Sequence, residues 1–427
     1  MVSRVSYRWR IAVLIAFAIT VSYFDRQTLP VAIAAIQRDI PISNTAFAQL
    51  QAAFLIAYAG MYAGGGKLID MLGTRTGFLL IMIWWSLACA SHGLATGFGM
   101  LMASRFLLGM GEGGSFPAAT KAVSEWFPVS ERSLAMGIMN AGTALGAVIA
   151  PPFIAGVLSF TNWRWVFFLS GVFGLVWAVW WWNAYWPPSL HPRISQAERA
   201  LLSDESQSDA SEEAGQSSSW LGLFKHSEVW GLVGAKFLSD AAWYFYLFWF
   251  PKYLYDVRHF DIKQVGYSAW IPYAASGVGC LLGGWFSGWL IRSGHSVNFA
   301  RKLALGLSAA VMPWIVLVTH LPVSLAIALF SLAFFGQQSW STLVMVLPAD
   351  LFPRAVVGSV AGLVGFGGAM GGVVFGLVVG YLLDHGYGYG SVFAIVSTLH
   401  VAAFFLILIT VRTVHPVAVP VRRTQPA

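Results

Sequence analysis

The chain is 427 residues long, 57% hydrophobic and only 10% charged, with a mean hydropathy of +0.68. Soluble domains carry about a quarter charged residues, so this composition excludes one and marks an integral membrane protein. The net charge of +7 is scattered over short loops and forms no patch on a soluble module, which argues against a nucleic-acid partner.

In chain order, apolar runs cover about 11–36, 46–68, 77–96, 98–123, 133–159 and 164–186. Each is long enough for a membrane-spanning helix of about 20 residues. The first run continues for about 26 residues without a small-residue cleavage site, so it reads as a first transmembrane helix and not as a signal peptide. A polar stretch follows from Pro187 to His226, and its SDESQSDASEEAGQSSS segment cannot build a core, which predicts a flexible linker. Six further runs cover about 229–255, 264–291, 299–319, 321–348, 356–383 and 390–412. The expected organisation is a six-helix bundle over 1–186, a linker over 187–226, and a second six-helix bundle with a short tail over 227–427. Cys89 and Cys280 fall inside apolar runs, placed as packing residues and not as a disulfide or metal pair. No metal or cofactor is expected.

Lys and Arg accumulate on the cytoplasmic side of membrane proteins. With the amino terminus inside, seventeen of the 25 lie in cytoplasmic segments. Arg38, Arg164, Lys252, Arg258 and Lys263 lie opposite, while Arg26, Arg105 and Lys236 fall within spans. Both termini and the linker are therefore expected in the cytoplasm. An internal repeat relates the halves: at an offset of 225 residues, Phe127-Pro128 superimposes on Phe352-Pro353, and Gly137, Gly142 and Gly146 fall on Gly362, Gly367 and Gly371. An acid, Glu125 or Asp350, precedes each Phe by two residues. Small residues at this spacing let helices approach closely, and paired halves are the build of a rocking transporter.

Within RFLLGMGEGGSFPAATKAVSEWFP, Arg105 and Glu112 stand seven residues apart, about two helical turns, on one face. A charge at bilayer depth costs at least about 2.5 kcal/mol, so the pair marks either a substrate or proton pathway or a structural ion pair. Lys236 and Asp240, four residues apart, read as a local ion pair that neutralises both, with no further role assigned. No nucleophile with a base, metal-ligand cluster or phosphate-binding glycine loop is recognisable, so an enzyme is not expected.

GKLIDMLGTR, Gly66 to Arg75, resembles the loop signature of the major facilitator superfamily. The resemblance implies a gating role for Gly66, Asp70, Gly73 and Arg75. Asp70 is expected to accept hydrogen bonds from a helix amino terminus and to pair with Arg75, latching the outward-facing state. The second-half loop GWFSGWLIRSG is degenerate, with Gly288 where the acid would stand, so the latch is expected to be asymmetric.

VSYFDRQTL at Val21 to Leu29, the Arg105 to Pro128 stretch and NWRWVFFLSG at Asn162 to Gly171 resemble the anion:cation symporter family. MGIMNAGTALGAVIAPP at Met136 and SDAAWYFYLFWFPKYL at Ser239 look most like its hexuronate transporters. The resemblance implies an all-α membrane fold of twelve transmembrane helices in two pseudo-symmetric six-helix bundles. It implies a monomer in the bacterial inner membrane that imports galacturonate or glucuronate with protons by rocker-switch alternating access. Carriage of an aldonate, aldarate or other carboxylate by symport, exchange or uniport stays open, as does a transporter-like sensor signalling through the linker.

A hexuronate needs a cation for its carboxylate and neutral donors, acceptors and ring faces for the rest. Arg26 can present a bidentate fork and by its motif resembles the anion anchor. By the same resemblance Asp25 and Glu112 titrate, Asp25 beside Arg26 and Glu112 linked to Arg105, which tunes it and offers a second anion contact. Sodium coupling stays open. Tyr58 matches a tyrosine facing the sugar acid, with interfacial or core packing as the competing reading. Asn140 and Thr143 are candidate hydroxyl contacts, Thr143 standing where some relatives have glutamine. Trp243, Tyr244, Tyr246 and Trp249 form an aromatic cluster, with Trp243 and Tyr246 taken as sugar-ring platforms and some members expected to face lipid. In QQSWSTL, Gln338 and Trp340 are favoured as ligands. Thr342 stands where relatives often carry asparagine.

Overall fold

A computed structural model describes residues 6–196, 198–199, 202, 216–217, 220–223, 225–352, 354–415 and 422–423. In lipid every backbone polar group must be satisfied within the protein, and the apolar runs accordingly fold as helices. They are α1 (Tyr7–Ile36), α2 (Asn44–Leu72), α3 (Thr74–Ser91), α4 (Phe98–Gly113), α5 (Ser115–Trp126), α6 (Val129–Phe160) and α7 (Trp163–Ala184). After the linker come α8 (Ser227–Asp256), α9 (Ile262–Ser268), α10 (Trp270–Arg292), α11 (Val297–Ala310), α12 (Val323–Leu351), α13 (Arg354–Asp384) and α14 (Gly388–Thr410). Among the described residues, nine helical segments are long and apolar enough to cross a membrane, with α9–α10 and α11 with its 3-10 extension each counted as one. α2 is a tenth, bent by 53° after Tyr62 where three glycines follow one another. The remaining two spans are α4 with α5, which break at Gly114, and α8, which carries Lys236, Asp240 and Lys252. A two-residue antiparallel pairing of Gln216–Ser217 with Arg422–Arg423 is the described β structure.

By its contacts the chain divides into two units, Met1–Ala35 with Ala57–Gly215, and Ile36–Ile56 with Gln216–Ala427. In the first unit α6 packs on α1 through Gly142 and Gly146, where a Cβ would strike the carbonyl oxygens of Ala16 and Thr20. In the second, α13 packs on α8 through Gly367 and Gly371, where a Cβ would strike Val233 and the Phe237 carbonyl. Gly137 and Gly362 both face open space. The sequence repeat is thus one helix-on-helix contact made twice. Its acids are both held, Glu125 by Thr74 Oγ1 at 2.5 Å and by the Tyr185 hydroxyl, Asp350 by Arg301 Nε at 2.8 Å.

The first half of α2 belongs to the second unit. There Asp384, at the end of α13, accepts from the backbone amides of Asn44 and Thr45 at 3.0 and 2.7 Å, capping α2. Phe47 packs edge-on to Trp249, and Phe54 to Phe248.

The linker differs from its flexible reading over its first third. His191 is buried between the rings of Tyr7 and Trp126, with centroids at 4.2 and 5.3 Å. Glu198 accepts from the Tyr7 and Arg8 amides at 3.2 and 3.1 Å, a carboxylate cap on the amino terminus of α1. Arg8 ties the same Glu198 to Glu131 of α6. The acidic core of the linker, 203–215, lies outside the described residues, as does Pro353 of the repeat.

Candidate functional site

The first unit closes around a buried ion pair. Glycines make it possible: a Cβ at Gly113 would strike the Tyr58 carbonyl and one at Gly111 would strike Trp85, so α4 lies directly against α2 and α3. That approach turns Glu112 inward. Its Oε2 accepts from Arg26 Nε at 2.8 Å and from Ser22 Oγ at 2.8 Å, and both charged side chains are at most 1% exposed. The Arg26 guanidinium also lies 4.4 Å from the Tyr23 ring centroid and 4.6 Å from that of Tyr58. Cation–π contacts of this kind hold a guanidinium plane in a fixed orientation.

The direct contact that the sequence suggested for Glu112 and Arg105 is therefore made by Arg26. Arg105 is fully buried and lies within electrostatic reach of Glu112, Cys89 and Asp25. Asp25 does not share the face of Arg26, because adjacent helical residues are turned about 100° apart. It points to Trp85, Cys89 and Ser170, in a compartment between α1, α3 and α7. The two acids thus occupy neighbouring compartments on either side of α1, and Cys89 is a fully buried core residue, as expected, beside the Asp25 compartment.

Tyr58 is where it was expected, against Arg26. Thr143 spends its hydroxyl on the Asn140 carbonyl at 2.7 Å, and Asn140 is exposed. Neither is brought to Arg26 by a described contact.

The loop residues are re-paired. Asp70 pairs with Lys121 at 2.6 Å and not with Arg75. Arg75 turns the other way, donating to the Trp182 carbonyl at 2.8 Å and stacking on Trp182 and Trp186. Gly73 takes φ 74°, a left-handed turn between α2 and α3 that suits glycine, whereas Gly66 faces open space.

The second unit holds its own polar centre. Lys236 Nζ lies 2.9 Å from Asp240 Oδ1, the expected local pair, and donates to Ser341 Oγ at 2.7 Å. Gln337 Nε2 approaches the same Asp240 oxygen at 3.4 Å, and its carbonyl oxygen accepts from His400 Nε2. Packing sets this arrangement too, since a Cβ at Gly368 would collide with the Asp240 carboxylate.

Gln337 is one of the two amides that QQSWSTL places at cavity depth, whereas Ser341 and His400 were not read from the sequence. A lone histidine within the most apolar span was the available signal for His400, because polar groups at that depth are costly. Gln338, the favoured neighbour, is only half-buried. Trp340 is fully buried with its ring edge-on to His400 at 5.6 Å. Thr342 bonds back to the Gln338 carbonyl at 2.9 Å and leans on Cys280. Trp243, Tyr244, Tyr246 and Trp249 are all buried, so none faces lipid. Trp243 and Tyr246 pack on Phe334, which makes Tyr246 a core member as much as a platform.

A predominantly helical membrane chain whose two units each bury a cation against an acid of the same unit has the build of a carrier for charged solutes. The sequence profile of the Major Facilitator Superfamily matches residues 15–376, and the chain belongs to that superfamily. It is 29% identical over 396 residues to a hexuronate transporter of Escherichia coli K12, covering 91% of this chain and 90% of that one. It is 31% identical over 400 residues to a D-galactonate transporter of Escherichia coli O6:H1, covering 91% and 92%. Among solved structures, a bacterial homologue of the human lysosomal transporter Spinster aligns with a TM-score of 0.71 over 96% of each chain at 16% identity, a shared fold. The protein is a multi-pass membrane transporter, not an enzyme.

Proposed function

We propose that the chain imports a sugar acid, a hexuronate such as galacturonate or glucuronate, by proton symport. The observation that carries this reading is the direct pairing of Arg26 with Glu112, both fully buried. Arg26 presents the planar fork that suits a carboxylate. The carboxylate beside it in the structure is Glu112. An arriving anion adds a negative charge, and uncompensated charge at bilayer depth is expensive. A proton on Glu112 removes its claim on Arg26 and keeps the centre neutral, so anion and proton load together. Asp25, one compartment away, is the second proton site, and Arg105 sets the field at both.

Tyr58 fixes the plane of Arg26 and offers its hydroxyl to the substrate. Within the second unit, Trp243, Gln338 and Trp340 are the ring and amide candidates for sugar-acid contacts. Asp70, with Gly66, Gly73 and Arg75, gates the two bundles, 1–186 and 227–427, which are joined by 187–226. The protein works as a monomer in the bacterial inner membrane with both termini in the cytoplasm, the orientation favoured by the Lys and Arg distribution. Similarity to hexuronate and galactonate carriers supports the substrate class.

The test is substrate addition to proteoliposomes holding the purified chain, with internal and external pH recorded. Symport predicts alkalinisation of the side from which galacturonate is taken up. Uptake of galacturonate without proton movement would leave a uniporter or exchanger whose carboxylates only balance charge. Failure to take up any uronate would move the substrate to another organic anion.

A further inference from the structure

The first third of the linker, folded back over the start of α3 and the end of α7, walls an open cavity of about 780 Å³ that takes no part in the substrate binding proposed above, although Gly73 and Arg75 of the proposed gate line it. Arg75 and Arg199 both line it, together with Trp186, Leu72 and Leu190. Arg75 is oriented by its stack on Trp182 and Trp186, 4.0 and 3.3 Å from the ring centroids. Arg199 is exposed and anchored by one hydrogen bond, Nη2 to the His191 carbonyl at 2.8 Å, which leaves most of its donors for a ligand. Glu125 also reaches the wall, but its oxygens accept from Thr74 and Tyr185, so its charge is turned into the protein. Burial beside that carboxylate pushes the Tyr185 phenol well above its ordinary range, so it remains a donor. Leu72 and Leu190 are exposed at the rim.

We propose that this cavity binds a phosphate group, that of an anionic phospholipid headgroup in the leaflet on the linker's side. Two guanidinium groups match phosphate oxygens geometrically. The aromatic and leucine rim suits the glycerol and first acyl carbons, and basic pockets at this membrane depth face a negative surface. A bound headgroup holds the linker against the first unit by joining Arg199 of the linker to Arg75 of α3.

The full-length protein is placed in nanodiscs of phosphatidylcholine with graded phosphatidylglycerol, and retained lipid is counted by native mass spectrometry. The wild type should retain phosphatidylglycerol in preference to phosphatidylcholine. Arg199→Gln should weaken that retention about fivefold, since a near-surface cation is worth about 1 kcal/mol, and Arg75→Gln should do so as well. Arg199 is exposed and outside the Arg26 centre, so its variant should still fold, checked by gel filtration, and transport galacturonate in phosphatidylcholine as the wild type does. Equal retention of the two lipids, or unchanged retention in both variants, would overturn the proposal. Inorganic phosphate is the second arm. Displacement of phosphatidylglycerol by millimolar phosphate, lost in Arg199→Gln, supports the phosphate site and makes a soluble ion its source; no displacement supports the lipid.

Discussion

Arg26 and Glu112 face each other at 2.8 Å in the protein interior, one from α1 and one from α4, each almost without exposure. Removing one partner of such a pair leaves a buried charge uncompensated, which costs about 3–5 kcal/mol. Arg26→Ala is therefore expected to abolish uptake of labelled galacturonate. Arg26→Lys keeps the charge but loses the fork, and should retain a small fraction of transport with a raised KM. Near wild-type uptake by Arg26→Ala would remove it as the anion anchor.

Glu112→Gln is expected to behave differently. The neutral amide mimics the protonated acid, so Arg26 is available to an anion at every pH. Counterflow of labelled substrate should persist, while accumulation driven by a proton gradient should fall to the equilibrium level. Equal loss of counterflow and accumulation would mean that Glu112 binds substrate or holds structure.

The spans were legible because the bilayer enforces their length and apolarity. Arg26, Glu112 and Tyr58 were legible because charge or a motif stands out at depth. Their pairing was not. Arg26 and Glu112 are 86 residues apart in the chain, and their contact depends on how closely Gly113 lets α4 approach Tyr58. Likewise Gln337 and Gln338 differ by about 100° of helical rotation, and only packing against Asp240 and His400 decides which one is inside. Asp70 found Lys121 and not Arg75 because α5 lies beside the end of α2, whereas the turn at Gly73 sends Arg75 toward the end of α7.

The second centre separates structure from coupling. Asp240→Asn strands the Lys236 ammonium and Lys236→Met strands the carboxylate, so each single variant should melt at a clearly lower temperature in detergent. The double variant Lys236→Met with Asp240→Leu should recover most of that loss, because both charges are gone. A double variant no better than the singles would show that the pair does more than neutralise itself.

The repeated glycine contact makes a paired prediction. Gly146→Ala and Gly371→Ala each place a methyl against a carbonyl oxygen of the facing helix, of Thr20 and Phe237 respectively. Both should reduce the yield of monodisperse protein, with overpacking costing about 1–3 kcal/mol. Gly137→Ala and Gly362→Ala have open space and should be silent or slightly stabilising. The same ranking in both units would establish that the repeat is energetic as well as geometric.

His191 gives the docked part of the linker a pH dependence of known sign. Its Nε2 donates to the Ala184 carbonyl at 3.3 Å and its Nδ1 accepts from the Arg193 amide at 3.1 Å, an arrangement that requires the neutral ring. Burial, with Arg193 and Arg199 nearby, lowers its pKa below the ordinary 6.5. The undocked linker therefore binds the proton more readily than the docked one. The histidine's contribution is fully present above about pH 6.5 and is lost as pH falls below it. Limited proteolysis of the linker should accelerate between pH 7.5 and 5.5 in the wild type. In His191→Gln, which cannot titrate, the rate should change only by the protease's own pH dependence, measured on an unfolded control. A wild type with no more acceleration than that control would show that the docking is held by Glu198 and Arg8 without help from the imidazole.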